Sequence, residues 1–330
     1  AKANGYNEIY VCGTVDIGEE EAACLNSSGI TFKRCSECKD SVLLNISKGE
    51  KVTFSDVKID GDKILSSAAL ISVAGELTID GKTDIRNGNN ASSDGGGAIY
   101  VKKDAILNIR GGNIEDNVAV KGGAIATDFL TPVIHISGGD IKGNRSGKGG
   151  GAIYLDSARL WVTGGNIENN IAGESGGAIY GHGLQNEGGR HSKIYVEGGI
   201  FKGNSCAGNG GGAIYVTFFS ELYIGVNGGR PRFENNRTSY YGGAIMLFQW
   251  ASGKIYAGDF IGNVSNHAFS AAGGALYVNA GCSMEMKNLY LVGNTQKKST
   301  TGGGGLYTCS TGRTAIFKTE GAFIAENTGA

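Results

Sequence analysis

Proline is nearly absent, with 2 residues in 330. Beside 58 glycines that scarcity excludes collagen, where glycine takes every third place among abundant prolines. An excess of either charge is missing too. Thirty Lys and Arg offset 31 Asp and Glu for a net charge of −1, so no basic stripe marks a nucleic-acid partner. Apolar residues at 40% also exclude a charge-driven disordered chain. No stretch approaches the roughly 18 consecutive apolar residues of a membrane-spanning helix. An opening Met is lacking, and Ala1-Lys2-Ala3-Asn4 is too polar for a signal peptide, which reads as a trimmed N-terminus. No phosphate-cradling glycine loop is found, and no second Cys or Cys/His pair completes a zinc site around Cys35 and Cys38. No cofactor and no metal is therefore expected.

What is present is a repeat. The stretch Gly95–Val101 (GGGAIYV) returns with its alanine at Ala98, Ala124, Ala152, Ala178, Ala213, Ala244 and Ala275, and with Gly305 in the last copy. A second motif, an aliphatic residue or Phe three places before an asparagine, interleaves with it at Asn117, Asn144, Asn170, Asn204, Asn236, Asn263, Asn294 and Asn327. The alanine spacing runs 26, 28, 26, 35, 31, 31 and 30 residues. Two motifs held in phase define a repeat architecture. Several glycines per unit would each cost about 1 kcal/mol in an α-helix. A four-stranded propeller blade needs ~40 residues, more than these units hold. Three short strands per unit, divided by glycine turns, predict an all-β fold: a right-handed three-faced parallel β-helix of about eleven coils, roughly 50 Å long at 4.8 Å per coil. Residues 1–90 lack the glycine motif and read as an N-terminal cap with divergent first coils; 91–330 carry the repeats. The last copy stops where another Gly-Gly-Ala is due, so the parent chain is expected to continue.

Alternation sorts the side chains. After each motif alanine an aliphatic residue (Ile99 through Leu306) points inward, and Tyr100, Ala126, Tyr154, Tyr180, Tyr215, Met246, Tyr277 and Tyr307 form an outward column. On the second strand Asn108, His135, Trp161, Tyr195, Tyr223 and Tyr256 are assigned outward. The recurrent asparagines predict a ladder of stacked amides, since a buried amide is costly unless bonded. Sequons at Asn144, Asn236 and Asn263 would then be coincidental. Of seven cysteines, Cys12, Cys24, Cys35 and Cys38 crowd the first 40 residues and are candidates for one or two stapling disulfides.

Gly-Gly-Ala-[Ile/Leu] paired with [Phe/Ile/Leu]-x-x-Asn resembles the repeats of the polymorphic outer membrane proteins of chlamydiae and similar bacterial surface proteins. The resemblance covers about residues 95–330. It implies a β-helical passenger on the cell surface, often of the autotransporter-adhesin type, and an extracellular or secreted location. Only Phe201, Phe233 and Phe260 keep the Phe of the strict pattern, and neither a C-terminal barrel nor a wall anchor is present in the sequence.

Loops on a regular scaffold are where recognition sits. The turn after the first strand carries Phe129, Phe218, Phe219, Phe248 and Trp250, and the longest insertion, Gly181–Ser192. Its neighbour before Gly-Gly adds Tyr240, Tyr241, His267 and Phe269. This edge, with Trp161, is the expected contact surface for a host glycan or protein. The tyrosine column needs no ligand, because stacked rings stabilise adjacent strands by roughly 0.2–1 kcal/mol a pair; as an exposed row it would equally suit a binding face. An enzymatic alternative rests on the column Lys102, Asp128, Asp156 and His182, with Arg159 nearby. Stacking sets its two carboxylates roughly 5 Å apart, the spacing of a retaining glycosidase or a Ca²⁺ site. A solvated column of mixed charge explains it as well, and no catalytic residue is expected. His182 and His191 as metal ligands would depend on a glycine-rich loop that fixes neither. A plain stalk is the third reading.

Overall fold

The computed structural model describes residues 6–129, 131–184, 190–267, 272–297, 302–309 and 316–329. The chain winds into a parallel β-solenoid of about ten turns. Four sheets of 12, 11, 10 and 9 strands run along it, and consecutive coils supply neighbouring strands in every one. One complete coil shows the plan. Ile99–Val101 belongs to the motif sheet, Ile106–Ile109 to the alternating sheet, Asn113–Glu115 to the ladder sheet and Val118–Ala119 to a fourth, short sheet. The three expected faces are present. The short sheet was not anticipated, because its strands are two residues long, too short for alternation to register. A helix, Glu19–Ser28, was also missed. It opens with Glu19, Glu20 and Glu21 against the positive helix end and stops at Gly29 with φ 63°. Asn26 ties it to the alternating sheet, donating to the Thr53 carbonyl (2.8 Å) and accepting from Ser55 N–H (2.8 Å).

The inward aliphatics stack in register, as Ile99 beside Ile125 and Leu107 beside Ile134. They fill one continuous core that runs along the axis. Where the repeat carries Phe, three rings stack inside it: Phe201, Phe233 and Phe260, with centroids 4.8 Å apart at each step.

The two motif glycines do different work. The first takes a left-handed backbone, as at Gly122 (φ 57°) and Gly150 (φ 66°). The second is forced by crowding between coils. A Cβ on Gly123 would stand 2.2 Å from the Gly151 carbonyl oxygen and 2.5 Å from the Arg145 nitrogen.

The asparagines stand at the corner between ladder and short sheets. Asn117, Asn144, Asn170, Asn204, Asn236, Asn263 and Asn294 are all fully buried. Asn204 shows the pattern. Its Oδ1 accepts from the backbone N–H (3.0 Å) and the Nδ2 (2.9 Å) of Asn170. Its own N–H and Nδ2 donate to Asn236 Oδ1, both at 3.0 Å, and Nδ2 also reaches the Ile167 carbonyl at 2.8 Å. The chain of amides ends on Asn327 at one side and on Gly88 N–H at the other. The three sequons are therefore sealed inside the fold.

The N-terminal coils are stapled differently from expectation. No disulfide joins Cys12, Cys24, Cys35 or Cys38, and none is present among the described residues. Cys12 and Cys35 follow paired strands on adjacent coils and share a thiol hydrogen bond. Stapling falls to Arg34, 1% exposed, whose guanidinium donates to the carbonyls of Lys39, Ser41, Ala68 and Ala69. Burial pulls its pKa down to about 10, so it stays charged at neutral pH.

Replacing Asn204 with Ala strands the Asn170 donors and should cost about 3 kcal/mol or more, read as a lowered urea midpoint. Asn204→Asp separates hydrogen bonding from size. Asp must be protonated to donate at all, and then to only one of Ile167 O and Asn236 Oδ1, so its folded pKa lies above the unfolded ~3.9. Its deficit against the native chain is then smallest below about pH 4 and widens as pH rises toward 7. A deficit that is flat with pH in paired denaturation curves would contradict the ladder's donor role.

Candidate functional site

The tyrosine column points away from the main core, as the alternation requires, yet it is not exposed. Tyr215 is 3%, Met246 1% and Tyr277 6% exposed. Tyr241 from the preceding turn and Phe248 from the following turn pack against it, forming a second apolar cluster over the motif sheet. Tyr154, Tyr180 and Tyr215 stack at 5.0 and 5.1 Å, and Tyr241 meets Tyr277 at 4.5 Å. Burial pushes the Tyr180 phenol up to about 12. At Tyr215, Met246 and Tyr277 the column is thus a seam between scaffold and loops with too little accessible surface for a binding face, while Tyr100, Tyr180 and Tyr307 stay partly exposed.

Aromatics also reach solvent on the edge on either side of this seam. Phe219 is 42% and Tyr240 44% exposed. Phe219 and Trp250, from turns one coil apart, stack with centroids 5.3 Å apart and planes within 12°. Both turns place two successive residues in the left-handed region: Phe218 (φ 49°) and Phe219 (φ 60°), then Gln249 (φ 44°) and Trp250 (φ 63°). Such turns favour Asn and Gly, and bulky residues there are strained. Elsewhere the same turn uses Asp104, Thr131, Ser157 or Gly281 for its left-handed residue. Phe218 meets His182 edge-on at 5.1 Å, and Tyr241 stacks on His267 at 4.8 Å. Phe129, half-buried, faces the Arg190 guanidinium at 5.9 Å. Phe269 and residues 185–189 of the long insertion lie outside the described residues.

Trp161 does not join this edge. It sits mid-face on the alternating sheet in a stack of four rings, His135, Trp161, Tyr195 and Tyr223, spaced 4.9, 5.1 and 4.8 Å. Burial lowers the His135 pKa, which favours a neutral imidazole in the stack. Tyr256, assigned to this column, is not in it. The partner of Tyr223 on the next coil is Lys254, while Tyr256 lies beyond the strand under the Lys287 ammonium at 5.2 Å. The run Ser252-Gly253-Lys254-Ile255 hid this, because its inward position holds a glycine where an aliphatic residue marks the other coils.

The charged column comes only partly together. Asp128 and Asp156 line one cavity of about 210 Å³ with Tyr100, Lys121 and Phe129. Lys102 lies outside it, beside Asp94 and Tyr100 in a neighbouring depression. His182 Nδ1 is 3.5 Å from Asp156 Oδ1. Asp128 bonds the Tyr100 hydroxyl and the Phe129 N–H (2.8 Å). Arg159 is exposed on the alternating sheet. His191 Nε2 bonds Glu221 Oε1 at 2.7 Å. Among the described residues no group of three or more His, Cys, Asp or Glu side chains is arranged to hold a metal ion.

One signal for the corner went unread in the sequence. The residue before every ladder asparagine (Asp116, Gly143, Asn169, Gly203, Asn235, Gly262, Gly293, Glu326) has φ between 53° and 67°. Gly, Asn or Asp in that place is the mark of a left-handed corner.

Residues 140–156, which hold the ladder strand Asp140–Lys142, Asn144 and the Gly150-Gly151-Ala152-Ile153 turn, match the Chlamydia polymorphic membrane protein repeat. Neither a curated protein nor a solved structure matches the chain. No described helix is long and apolar enough to cross a membrane. One repeat unit matches that family, and the coils from about residue 95 onward share its corner and its glycine turn, so the solenoid fits a polymorphic-membrane-protein-like β-helix.

Proposed function

We propose that this chain is a non-catalytic segment of a bacterial surface protein that binds a host glycan or protein through its aromatic turn edge. The repeat match supports a surface-exposed setting, because polymorphic membrane proteins form an outer-membrane surface family. The observation that carries the contact role is the Phe219–Trp250 pair. Two large rings occupy left-handed positions where Asn or Gly would be relaxed, and they stack outside the core. Backbone strain of this kind costs about 1–3 kcal/mol a residue and persists where something other than stability retains it. Tyr240 and Phe129 extend the edge on the same rigid frame.

Replacing both residues by Asn tests this reading. Phe219→Asn with Trp250→Asn relaxes the two turns while removing the stack, so unfolding free energy should stay within about 1 kcal/mol of the native value. Binding to host cells, or to the host glycans and proteins captured on arrays, should fall to background. Undiminished binding by the folded double variant would remove the edge from the function. Glycan cleavage by the native chain that vanishes in Asp128→Asn plus Asp156→Asn would replace the adhesive reading with the enzymatic one.

A further inference from the structure

We infer that a pit on the alternating sheet, beside Tyr223, binds one acidic sugar ring, a carboxylate-bearing hexose or sialate unit. This goes beyond the turn edge and does not depend on it. In a stack of parallel rings the inner members are covered on both faces, and only the end members have a face to offer. At one end His135 meets Asn108 of the preceding coil, which is itself bonded to Glu76 at 3.0 Å. At the other, the neighbour of Tyr223 is Lys254. A cavity of about 190 Å³ lies there, lined by Tyr223, Ser252, Lys254, Ser283 and Glu285 together with Gly253 and the apolar Leu222 and Met284.

The pit exists because two contacts that would fill it are not made. Lys254 lies next to Glu285 in register, yet Lys254 forms no ion pair among the described residues; Glu285 is met by Lys287 at 3.7 Å. Nor does the Lys254 ammonium lie over the Tyr223 ring among the described cation–π contacts. The Tyr223 hydroxyl is fixed by Glu221, which also holds Lys193 at 3.3 Å and His191 at 2.7 Å, so the ring is braced from behind. Burial works to raise the Glu221 pKa, but the bonds from Tyr223, His191 and Lys193 outweigh it and keep the carboxylate ionised.

The chemistry of this lining selects its ligand. An open aromatic face accepts the apolar face of a pyranose, and the serine hydroxyls with Glu285 exchange hydrogen bonds with ring hydroxyls. The free ammonium of Lys254 calls for an anionic substituent. The volume is below the roughly 300–1,000 Å³ of pockets that enclose drug-sized ligands, so the pit takes one ring and leaves the rest of a glycan outside.

Saturation-transfer NMR on the whole chain with three probes tests this: a glucuronate-containing chondroitin tetrasaccharide, 3′-sialyllactose, and lactose as the neutral reference. At least one acidic probe should bind, with transfer concentrated on its acidic ring, and lactose should not. Lys254→Gln, at an exposed position, should keep the native melting curve and weaken the acidic probe by about tenfold or more, while Lys254→Arg retains most of the affinity. Phe219→Asn with Trp250→Asn should leave this binding unchanged, which separates the pit from the edge. Absence of binding by both acidic probes, equal binding of lactose, or native affinity in folded Lys254→Gln would each overturn the assignment.

Discussion

Every other feature depends on the amide at the corner between the ladder and short sheets. A side-chain amide has two acceptor lone pairs and two N–H donors, and at Asn144 all are used by residues on neighbouring coils and by its own coil. Each bond adds only about 0.5–1.5 kcal/mol net, whereas a donor stranded in this interior costs about 1–3 kcal/mol. The ladder therefore acts less by the strength of any rung than by the penalty for breaking one. Since each amide bonds the backbone N–H of the coil before it, the corner fixes the rise and register of the whole stack. The Phe201–Phe233–Phe260 stack and the in-register aliphatics follow from that registration.

The corner also explains where the repeat tolerates change. The distance from strand to asparagine never varies, but the alanine interval runs from 26 to 35 residues. Within the described residues, added residues go into a turn at Gly225–Arg230 after the alternating sheet; in the sequence the other long intervals fall between Gly181 and Ser192 and between Val264 and Gly273. Nearest-neighbour stability of this kind lets one turn lengthen without disturbing coils farther along. Recognition surfaces can then accumulate on the turns while the core stays regular.

The core, the ladder and the glycine turns were legible because each is a column, repeated eight times with the same chemistry. The short sheet was not, since two-residue strands leave no period to detect. The tyrosine column was assigned the right direction and the wrong exposure. Periodicity tells which side of a strand a residue takes, but the cover over that side comes from Tyr241 and Phe248, which lie in turns with no period at all. The disulfide expectation failed on a similar ground. Four cysteines within 40 residues suggested covalent stapling, while the solution found was one buried Arg34, a single residue with no pattern to announce it.

The two surface features break the repeat in opposite senses. At Phe219 and Trp250 bulky side chains stand where the backbone favours none, and at Gly253 the side chain is missing where the repeat has an aliphatic one. Neither departure helps the scaffold: the first strains two turns, and the second leaves Met284 and Leu247 to close around the gap. In a solenoid held by identical rungs, drift toward the relaxed residue is open at each coil separately, because a rung interacts only with its neighbours. A locally unfavourable residue kept at such a position is therefore informative in a way that one in a globular core is not, where packing on all sides can require it. The turn edge is a place on this surface where that argument applies, and Phe219 there is exposed, whereas the gap at Gly253 lies on the core side of the strand beneath the pit.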